Sequence, residues 1–175
     1  MSITQGFAIW MTGLPASGKS AITSEVVKKL AARGVFAVVL ESDEMRKIIT
    51  PEPAYSPLER DLFYRSLAMI GVLITRTGAP VIFDATANKR SYREYARNRI
   101  PRFVEAYIGC PLDVCMRRDP KGIYRRAATG EASTVPGIQS SYEPPLYPEV
   151  VLDGTMPPAV SADTVMDVLT RMLLI

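Results

Sequence analysis

The stretch that decides the fold is Gly13-Leu14-Pro15-Ala16-Ser17-Gly18-Lys19-Ser20. It matches the phosphate-binding pattern G-x-x-x-x-G-K-[ST] at every position. An apolar run at 7–11 precedes it and predicts a buried strand, and a helical pattern at 21–30 follows it. On such a strand-to-helix turn, backbone N–H groups and the helix dipole bind phosphate, Lys19 reaches the β- and γ-phosphates, and the Ser20 hydroxyl ligates Mg²⁺. The sequence therefore predicts a site for a nucleoside triphosphate.

Length and composition fit one domain spanning 1–175. The chain has 175 residues, of which 47% are hydrophobic, and this supplies enough apolar surface for a core. It contains no apolar stretch of about 18 residues and no basic segment followed by an apolar one at its start. We therefore expect no membrane span, no signal peptide and a cytoplasmic protein.

Charge and cysteine content narrow the class of partner. The net charge is only +3 and the basic residues are scattered, which favours a phosphorylated small molecule over nucleic acid. Cys110 and Cys115 are the two cysteines and histidine is absent, so neither a zinc site nor a disulfide framework is expected. We expect Cys115 to serve packing. Without histidine, a general base must be Asp or Glu.

Strand and helix patterns alternate along the chain. Three further short apolar runs predict strands, at 35–40, 79–83 and 103–108, and helical patterns occur at 44–49, 57–77, 91–98 and 162–174. The longest helix has a capping-box pattern in Ser56 and Glu59. This alternation predicts an α/β fold of the P-loop NTPase type, with three layers and a mainly parallel sheet covered by helices on both faces. Ligands of such sheets gather at the carboxyl ends of the strands.

Two carboxylates follow predicted strands, and each has two interpretations. Asp43 either caps the helix that begins near Glu44 or lies beside the phosphate loop as a general base or metal ligand. Asp84 either forms a turn or serves as the metal-side acid of a Walker B strand. Arg46, one turn into the helix after Asp43, is expected to face the same cleft. The segment 130–148 is rich in Gly, Pro and Ser, which favours a functional loop.

Further motifs lie on both sides of these elements. An Asp-Pro-Lys-Gly-Ile-Tyr run occupies 119–124, and a Tyr-Glu-Pro-Pro run occupies 142–145. Together with matching segments upstream, this pattern resembles the adenylylsulfate kinases over nearly the whole chain. The other segments that carry the resemblance are 10–15, 40–46, 55–60, 130–131, 137–138 and 148–152.

The resemblance implies a kinase that uses ATP and Mg²⁺ to phosphorylate the 3′-hydroxyl of adenosine 5′-phosphosulfate (APS). It implies that Asp43 lies near the acceptor hydroxyl and that the 117–147 segment is a mobile lid over the triphosphate. Arg118 and Lys121 would bind the donor, and Lys121 would also approach the acceptor. The remaining residues implied to bind the acceptor are Arg46, Tyr55, Arg60, Arg65, Val135 and Ile138. Arginine suits this task because its planar group offers paired donors to oxyanions.

The departures from the family pattern concentrate on the acceptor side. Val135 replaces an aromatic residue that stacks on the substrate adenine, which removes about 1 kcal/mol, although Tyr55 can still stack. Phe63 replaces an asparagine, and 41–44 read Glu-Ser-Asp-Glu instead of Asp-Gly-Asp-Asn. The family's Ser-Phe-Ile-Ser-Pro becomes Asp84-Ala85-Thr86-Ala87-Asn88. Asp84 would repel an anionic acceptor unless a metal ion or an arginine stands between them.

Alternative functions follow from these departures. The first is a related P-loop kinase that phosphorylates a hydroxyl of a different nucleotide-like acceptor. The second is an ATP-binding regulator without catalysis, although a regulator has no need for Asp43 and the three arginines together. Many members of the family are dimers, so the resemblance leaves a homodimer open. The pattern leaves the identity of the acceptor open, as well as which of Asp43 and Asp84 is the base.

Overall fold

A five-stranded parallel sheet with strand order β2-β3-β1-β4-β5 forms the centre of the computed structural model, which describes residues 5–175. The first four residues of the predicted domain 1–175 lie outside the described residues. The strands are β1 (Ala8–Gly13), β2 (Val38–Glu41), β3 (Val81–Asp84), β4 (Phe103–Gly109) and β5 (Val150–Asp153). The helices are α1 (Lys19–Ala31), α2 (Ser42–Ile49), α3 (Pro57–Arg76), α4 (Arg90–Arg97), α5 (Leu112–Arg118), α6 (Ile123–Ala128) and α7 (Pro158–Arg171).

Two hydrophobic cores cover the two faces of the sheet. Side chains alternate between the faces of a strand, and in β1 this places Ile9 and Met11 against α1 and α7, whereas Trp10 packs against α3 and α4. Every residue of β1 is buried, as expected for a central parallel strand. The three-layer α/β fold predicted from the sequence is therefore confirmed.

Helix α3 begins where the capping pattern predicts. Pro57 occupies the first turn, and the Ser56 hydroxyl accepts a hydrogen bond from the Glu59 N–H at 3.2 Å. The Glu59 carboxylate accepts from the N–H groups of Ala54 and Tyr55, at 2.6 and 3.3 Å, instead of returning to Ser56. Only the Ser56 half of the capping box is therefore formed. The Glu59 side chain instead holds the loop before the helix.

The start of α2 corrects one prediction. The helix begins at Ser42 with Glu41 in the capping position, so the suggestion that Asp43 caps it is wrong. Asp43 lies in the first turn, where the helix dipole favours a negative charge. Its carboxylate therefore needs no capping bond and is available to other partners.

No bounds were predicted for three elements: β5, α5 and α6. Each is short, with four, seven and six residues. None of the helices within residues 5–175 combines the length and apolarity that a membrane crossing requires.

Candidate active site

The phosphate loop joins β1 to α1 and depends on its glycines. Gly18 has φ +104°, in the left-handed region, and a Cβ on Gly13 would lie 2.6 Å from the carbonyl oxygen of Ile108. The Lys19 ammonium donates to the carbonyl oxygens of Gly13 and Leu14, at 3.1 and 2.8 Å. Burial lowers the pKa of Lys19, an effect that the charge of Asp84 opposes. The loop thus has the closed shape and the positive charge that a phosphate requires.

A cavity of about 430 Å³ opens above this loop, and we call it the donor cavity. Arg118 and Lys121, both predicted to bind the donor, line it. The Arg118 guanidinium donates to the carbonyl oxygen of Gly154 at 2.7 Å, which fixes its position on the cavity wall. Gly154, Met156 and Pro158 also line the cavity, and no sequence motif predicted them.

Asp84 is the last residue of β3 and lies inside the donor cavity with 4% of its surface exposed. Burial raises the pKa of its carboxyl group, whereas a hydrogen bond with Ser20 and the charges of Lys19 and Lys121 lower it. The repulsion that Asp84 was predicted to exert on an anion is therefore offset by the positive charges of these two lysines instead of that of an arginine. The pair of Ser20 and Asp84 offers hard oxygen ligands of the kind that Mg²⁺ prefers.

These oxygen donors form no complete metal cage. Among residues 5–175, no group of three or more His, Cys, Asp or Glu side chains is arranged to hold a metal. This fits Mg²⁺, which keeps several waters and is bound through one or two carboxylates together with phosphate oxygens. The residues present are thus compatible with the predicted metal, with Asp43 as the second carboxylate on the cavity wall.

A second cavity, of about 610 Å³, lies between α2, α3 and the lid segment 117–147, and we call it the acceptor cavity. Its lining is strongly basic. Val135, from the lid segment, and Tyr55 also line it, as the resemblance implies. The basic side chains are Arg46, Lys47, Arg60, Lys121 and Arg126, against the acidic Asp43 and Glu131. The cavity therefore suits an anionic ligand.

Arg46 and Arg60 are held in the acceptor cavity by different contacts. The Arg46 guanidinium stacks over Phe63, 3.9 Å from the ring centre, and lies 3.5 Å from the Glu59 carboxylate. Arg60 donates through Nη2 to the carbonyl and hydroxyl oxygens of Thr134, both at 2.8 Å. Arg60 thereby connects α3 to the lid segment.

Asp43 lies where the two cavities meet. It lines both of them, as do Thr86 and Lys121. The Lys121 ammonium contacts the carboxylates of Asp43 and Glu41, at 2.5 and 3.3 Å. The hydrogen bond to Asp43 is the main reason why the pKa of Lys121 is raised. Lys121 thus joins the lid segment to carboxylates at the end of β2 and the start of α2.

Two predicted acceptor residues do not reach either cavity. Arg65 points away on α3, 58% exposed, and pairs with Asp61 at 2.9 Å. Ile138 is also exposed and lies in a turn that follows Val135. The geometry brings the other acceptor residues together but gives no support to these two.

A third, small core joins Cys115 of α5 to Tyr124 and Val135 of the lid segment. Burial raises the pKa of Cys115 to about 12, so its thiol serves packing and stays protonated. Asp119 accepts a hydrogen bond from the Arg125 N–H at 3.0 Å at the start of α6. Burial alone would raise the pKa of Asp119, but bonds from backbone N–H groups outweigh it and lower the pKa.

Comparison with known proteins places this site in a family. The family model for adenylylsulphate kinase matches residues 5–153. The chain belongs to the adenylylsulfate kinase family. The family assignment suggested by the sequence motifs is therefore confirmed, and with it a kinase that transfers phosphate to a hydroxyl group.

Several relatives are similar over most of their length. The adenylyl-sulfate kinase of Microcystis aeruginosa is 40% identical over 146 residues, which cover 83% of this chain and 81% of the relative. A probable adenylyl-sulfate kinase of Archaeoglobus fulgidus is 38% identical, covering 84% and 95%. The solved structure of the Mycobacterium tuberculosis APS kinase in complex with AMPPNP and APS superimposes with a TM-score of 0.89 at 32% identity, covering 95% of this chain and 98% of the other.

Proposed function

We propose that this protein transfers the γ-phosphate of ATP to the 3′-hydroxyl of APS. The observation that carries the proposal is the position of Asp43 and Lys121, which line both the donor and the acceptor cavity. A phosphoryl group can pass between two substrates only where their sites meet. A solved relative with an ATP analogue and APS bound adds support, because this chain matches it over nearly its full length.

The donor half of the site holds the triphosphate by charge and by backbone. The N–H groups of the phosphate loop and the start of α1 surround the phosphates, and Lys19 neutralises them. Arg118 and Lys121 add positive charge from the lid segment. Phosphoryl transfer demands mainly positioning and charge neutralisation, and these groups supply both.

Mg²⁺ fits the donor half, with Ser20 and Asp84 as its ligands and Asp43 within the same cavity. When bound, the ion neutralises charge that develops on the phosphate oxygens. Asp84 would hold the metal and lines only the donor cavity, whereas Asp43 lines both cavities, so Asp43 is the carboxylate placed to act as the base.

In the transfer step, the acceptor hydroxyl oxygen forms a bond to the γ-phosphorus as the bond to the β-phosphate oxygen breaks. The hydroxyl proton passes to the Asp43 carboxylate, and ADP leaves. In the structure Lys121 occupies this carboxylate. The triphosphate carries more negative charge than Asp43 and draws Lys121 toward the donor, which makes Asp43 available as a base.

The acceptor cavity explains the choice of an anionic substrate. Its basic side chains complement a phosphosulfate group, and Arg46 and Arg60 provide the planar donors for it. A second candidate is a different anionic, nucleotide-like acceptor. The buried Val135, in place of an aromatic residue, favours that candidate.

A direct assay tests the proposal. Purified protein with MgATP and APS is expected to form 3′-phosphoadenosine 5′-phosphosulfate, detected by mass spectrometry alongside a panel of other nucleotides. Absence of this product at APS concentrations far above micromolar, with product from another nucleotide, would establish the second candidate instead. Absence of any product would indicate an ATP-binding regulator.

Replacing the base gives a sharper test. Asp43→Asn is expected to lower kcat by a factor of about 10² or more, because proton transfer contributes typically that much, while ATP affinity changes little. Asp113→Asn is the matched control, since this aspartate is exposed on α5, pairs with Arg117 and lines neither cavity. Unchanged turnover in Asp43→Asn would remove Asp43 as the base.

A cytoplasmic location and assembly as a homodimer stay predictions from the sequence. Sedimentation of the purified chain at several concentrations would measure the assembly.

A further inference from the structure

Asn88 lies where three segments of the acceptor side meet. It belongs to the loop between β3 and α4, and only 4% of its surface is exposed. Its side-chain amide N–H donates to the carbonyl oxygen of Ser141 at 3.0 Å. Its side-chain oxygen accepts from Nη1 of Arg60 at 3.4 Å, and its backbone carbonyl accepts from the Glu143 N–H at 2.8 Å. One buried side chain thus contacts both an acceptor arginine and the end of the lid segment.

Buried side chains hold the loop that carries Asn88 in place. Ala87 has a left-handed backbone, with φ +41°, and its N–H donates to the Tyr64 hydroxyl at 3.1 Å. Its carbonyl oxygen accepts from the guanidinium of Arg93, a fully buried side chain that also donates to the Glu143 carbonyl at 2.7 Å. Groups that are held this way keep their positions without a substrate, so Asn88 presents a preformed pair of hydrogen-bonding atoms.

Arg60 depends on Asn88 for one end of its guanidinium group. Nε donates to the carbonyl oxygen of Tyr55 at 3.2 Å, and Nη2 donates to both the carbonyl and the hydroxyl oxygen of Thr134. Nη1 carries two N–H groups, of which Asn88 binds one. The second N–H of Nη1 has no acceptor within residues 5–175, so it is available to an anion in the acceptor cavity.

We propose that Asn88 is a positioning residue that determines acceptor specificity. Its side chain orients Nη1 of Arg60, and its hydrogen bonds hold residues 141–143 beside that arginine. This inference rests on the proposed function, because it concerns the residue that holds the acceptor.

Acceptor kinetics test the proposal. Asn88→Ala is expected to raise the KM for APS about tenfold, which corresponds to about 1.4 kcal/mol, while the KM for ATP changes less than about twofold. Asn98→Ala is the matched control, because Asn98 is exposed at the other end of α4 and its side chain has no hydrogen-bond partner within residues 5–175. Equal rises in both KM values would overturn the proposal, since a general loss of structure affects both substrates.

A double-mutant cycle separates action through Arg60 from any other route. In an Arg60→Ala background, Asn88→Ala is expected to change the KM for APS by less than about twofold, because the interaction it supports is already absent. Full additivity in the cycle would overturn the proposal.

The original chain is assayed first, so the two proposals can fail separately. If it forms no product from APS but phosphorylates another anionic nucleotide, the same cycle is run with that acceptor. If it phosphorylates none of these acceptors, amide hydrogen exchange of the chain without ligand tests the contacts of Asn88 instead. Asn88→Ala is then expected to accelerate exchange across 133–143 about tenfold or more, and exchange equal to that of Asn98→Ala would overturn the contact itself.

Discussion

At the scale of single residues, the surroundings of an arginine decide whether it can serve the acceptor. Arg46 is nearly buried and stacks on Phe63, so its guanidinium is held in the cavity before a substrate arrives. Arg65 carries the same charge but is exposed and paired with Asp61. Exposed pairs contribute roughly 0 to 1 kcal/mol, whereas a hydrogen bond to a charged group contributes about 1.5 to 3 kcal/mol.

We therefore predict opposite outcomes for two alanine variants. Arg46→Ala should raise the KM for APS at least about tenfold, and Arg65→Ala should leave it within about twofold. Steady-state kinetics at saturating MgATP measure both, with thermal unfolding as the check that each variant is folded. A large effect of Arg65→Ala would show that α3 presents this residue to the acceptor in the complex.

Asp84 is the second residue whose role can be separated from its neighbours. Because its carboxylate pairs with Ser20 in the donor cavity, Asp84→Asn should raise the Mg²⁺ concentration for half-maximal rate about tenfold, through loss of one charged ligand. The KM for APS should change little. A titration with Mg²⁺ at fixed ATP measures this, with the exposed Asp61→Asn as control. A lower KM for APS at an unchanged Mg²⁺ requirement would instead place Asp84 on the acceptor side.

At the scale of elements, α3 and β3 are fitted to each other at one glycine. A Cβ on Gly71 would lie 2.1 Å from Cζ of Phe83, whose ring is buried and stacked on Trp10 at 4.4 Å. Alanine is better than glycine within a helix by about 1 kcal/mol. Overpacking a core costs about 1 to 3 kcal/mol, and here the ring that would have to shift is fully buried.

Gly71→Ala should therefore destabilise the protein despite its better helix propensity. Urea unfolding is expected to show a net loss of up to about 2 kcal/mol, the difference between the two effects. Ser66→Ala, on the same helix and only partly buried, should change stability by less than about 0.5 kcal/mol. A gain in stability for Gly71→Ala would mean that the Phe83 ring adapts.

Elements with long or strongly apolar patterns were predictable, and short ones were not. β1, β3, β4 and α3 were predicted to within two residues at each end, because local patterns define them. β5 was missed because only Val150, Val151 and Leu152 mark it. The donor-cavity residues Gly154, Met156 and Pro158 follow β5, and they were not predicted for the same reason.

The candidate site shows the same division. The phosphate loop is a local motif, so its residues could be read from the sequence. Arg65 was assigned from a motif alone, although the buried stripe of α3 excludes it. That stripe includes Phe63, Tyr64, Leu67 and Ala68, and position 65 falls outside it. Asn88 was noticed as a departure, but its contacts with Arg60 and Ser141 depend on tertiary structure and could not be predicted.

At the scale of the whole molecule, an ionic network joins α4, β4 and the start of β5. The Arg97 guanidinium binds both oxygens of Glu149, at 2.6 and 2.8 Å, and Glu149 also accepts from the Glu105 N–H at 2.7 Å. Burial would raise the pKa of Glu149, but the bonds from Arg97 and from the backbone outweigh it and lower the pKa. A carboxylate with a lowered pKa stabilises the folded state at neutral pH.

This network predicts how stability depends on pH. The contribution of Glu149 is present above the unfolded pKa of about 4.3 and is lost as the pH falls below it toward the folded value. Glu149→Gln should lower stability at pH 7 and flatten its decline between about pH 5 and pH 3. Urea unfolding at a series of pH values measures this. Asp113→Asn, in an exposed pair with Arg117, should cause a smaller change, and an equal one would contradict the network.

The strand order has a consequence for how the chain acquires its fold. β1 is the first strand to be synthesised and the middle one of the sheet, and its partners are the third and fourth strands. During synthesis one edge of β1 stays unpaired until β3 has emerged, and the other edge stays unpaired until β4 has emerged. Parallel pairing between such distant segments folds slowly and exposes aggregation-prone surface in the meantime. The arrangement that places the phosphate loop at the centre of the finished enzyme therefore leaves an apolar strand exposed for longer in the nascent chain.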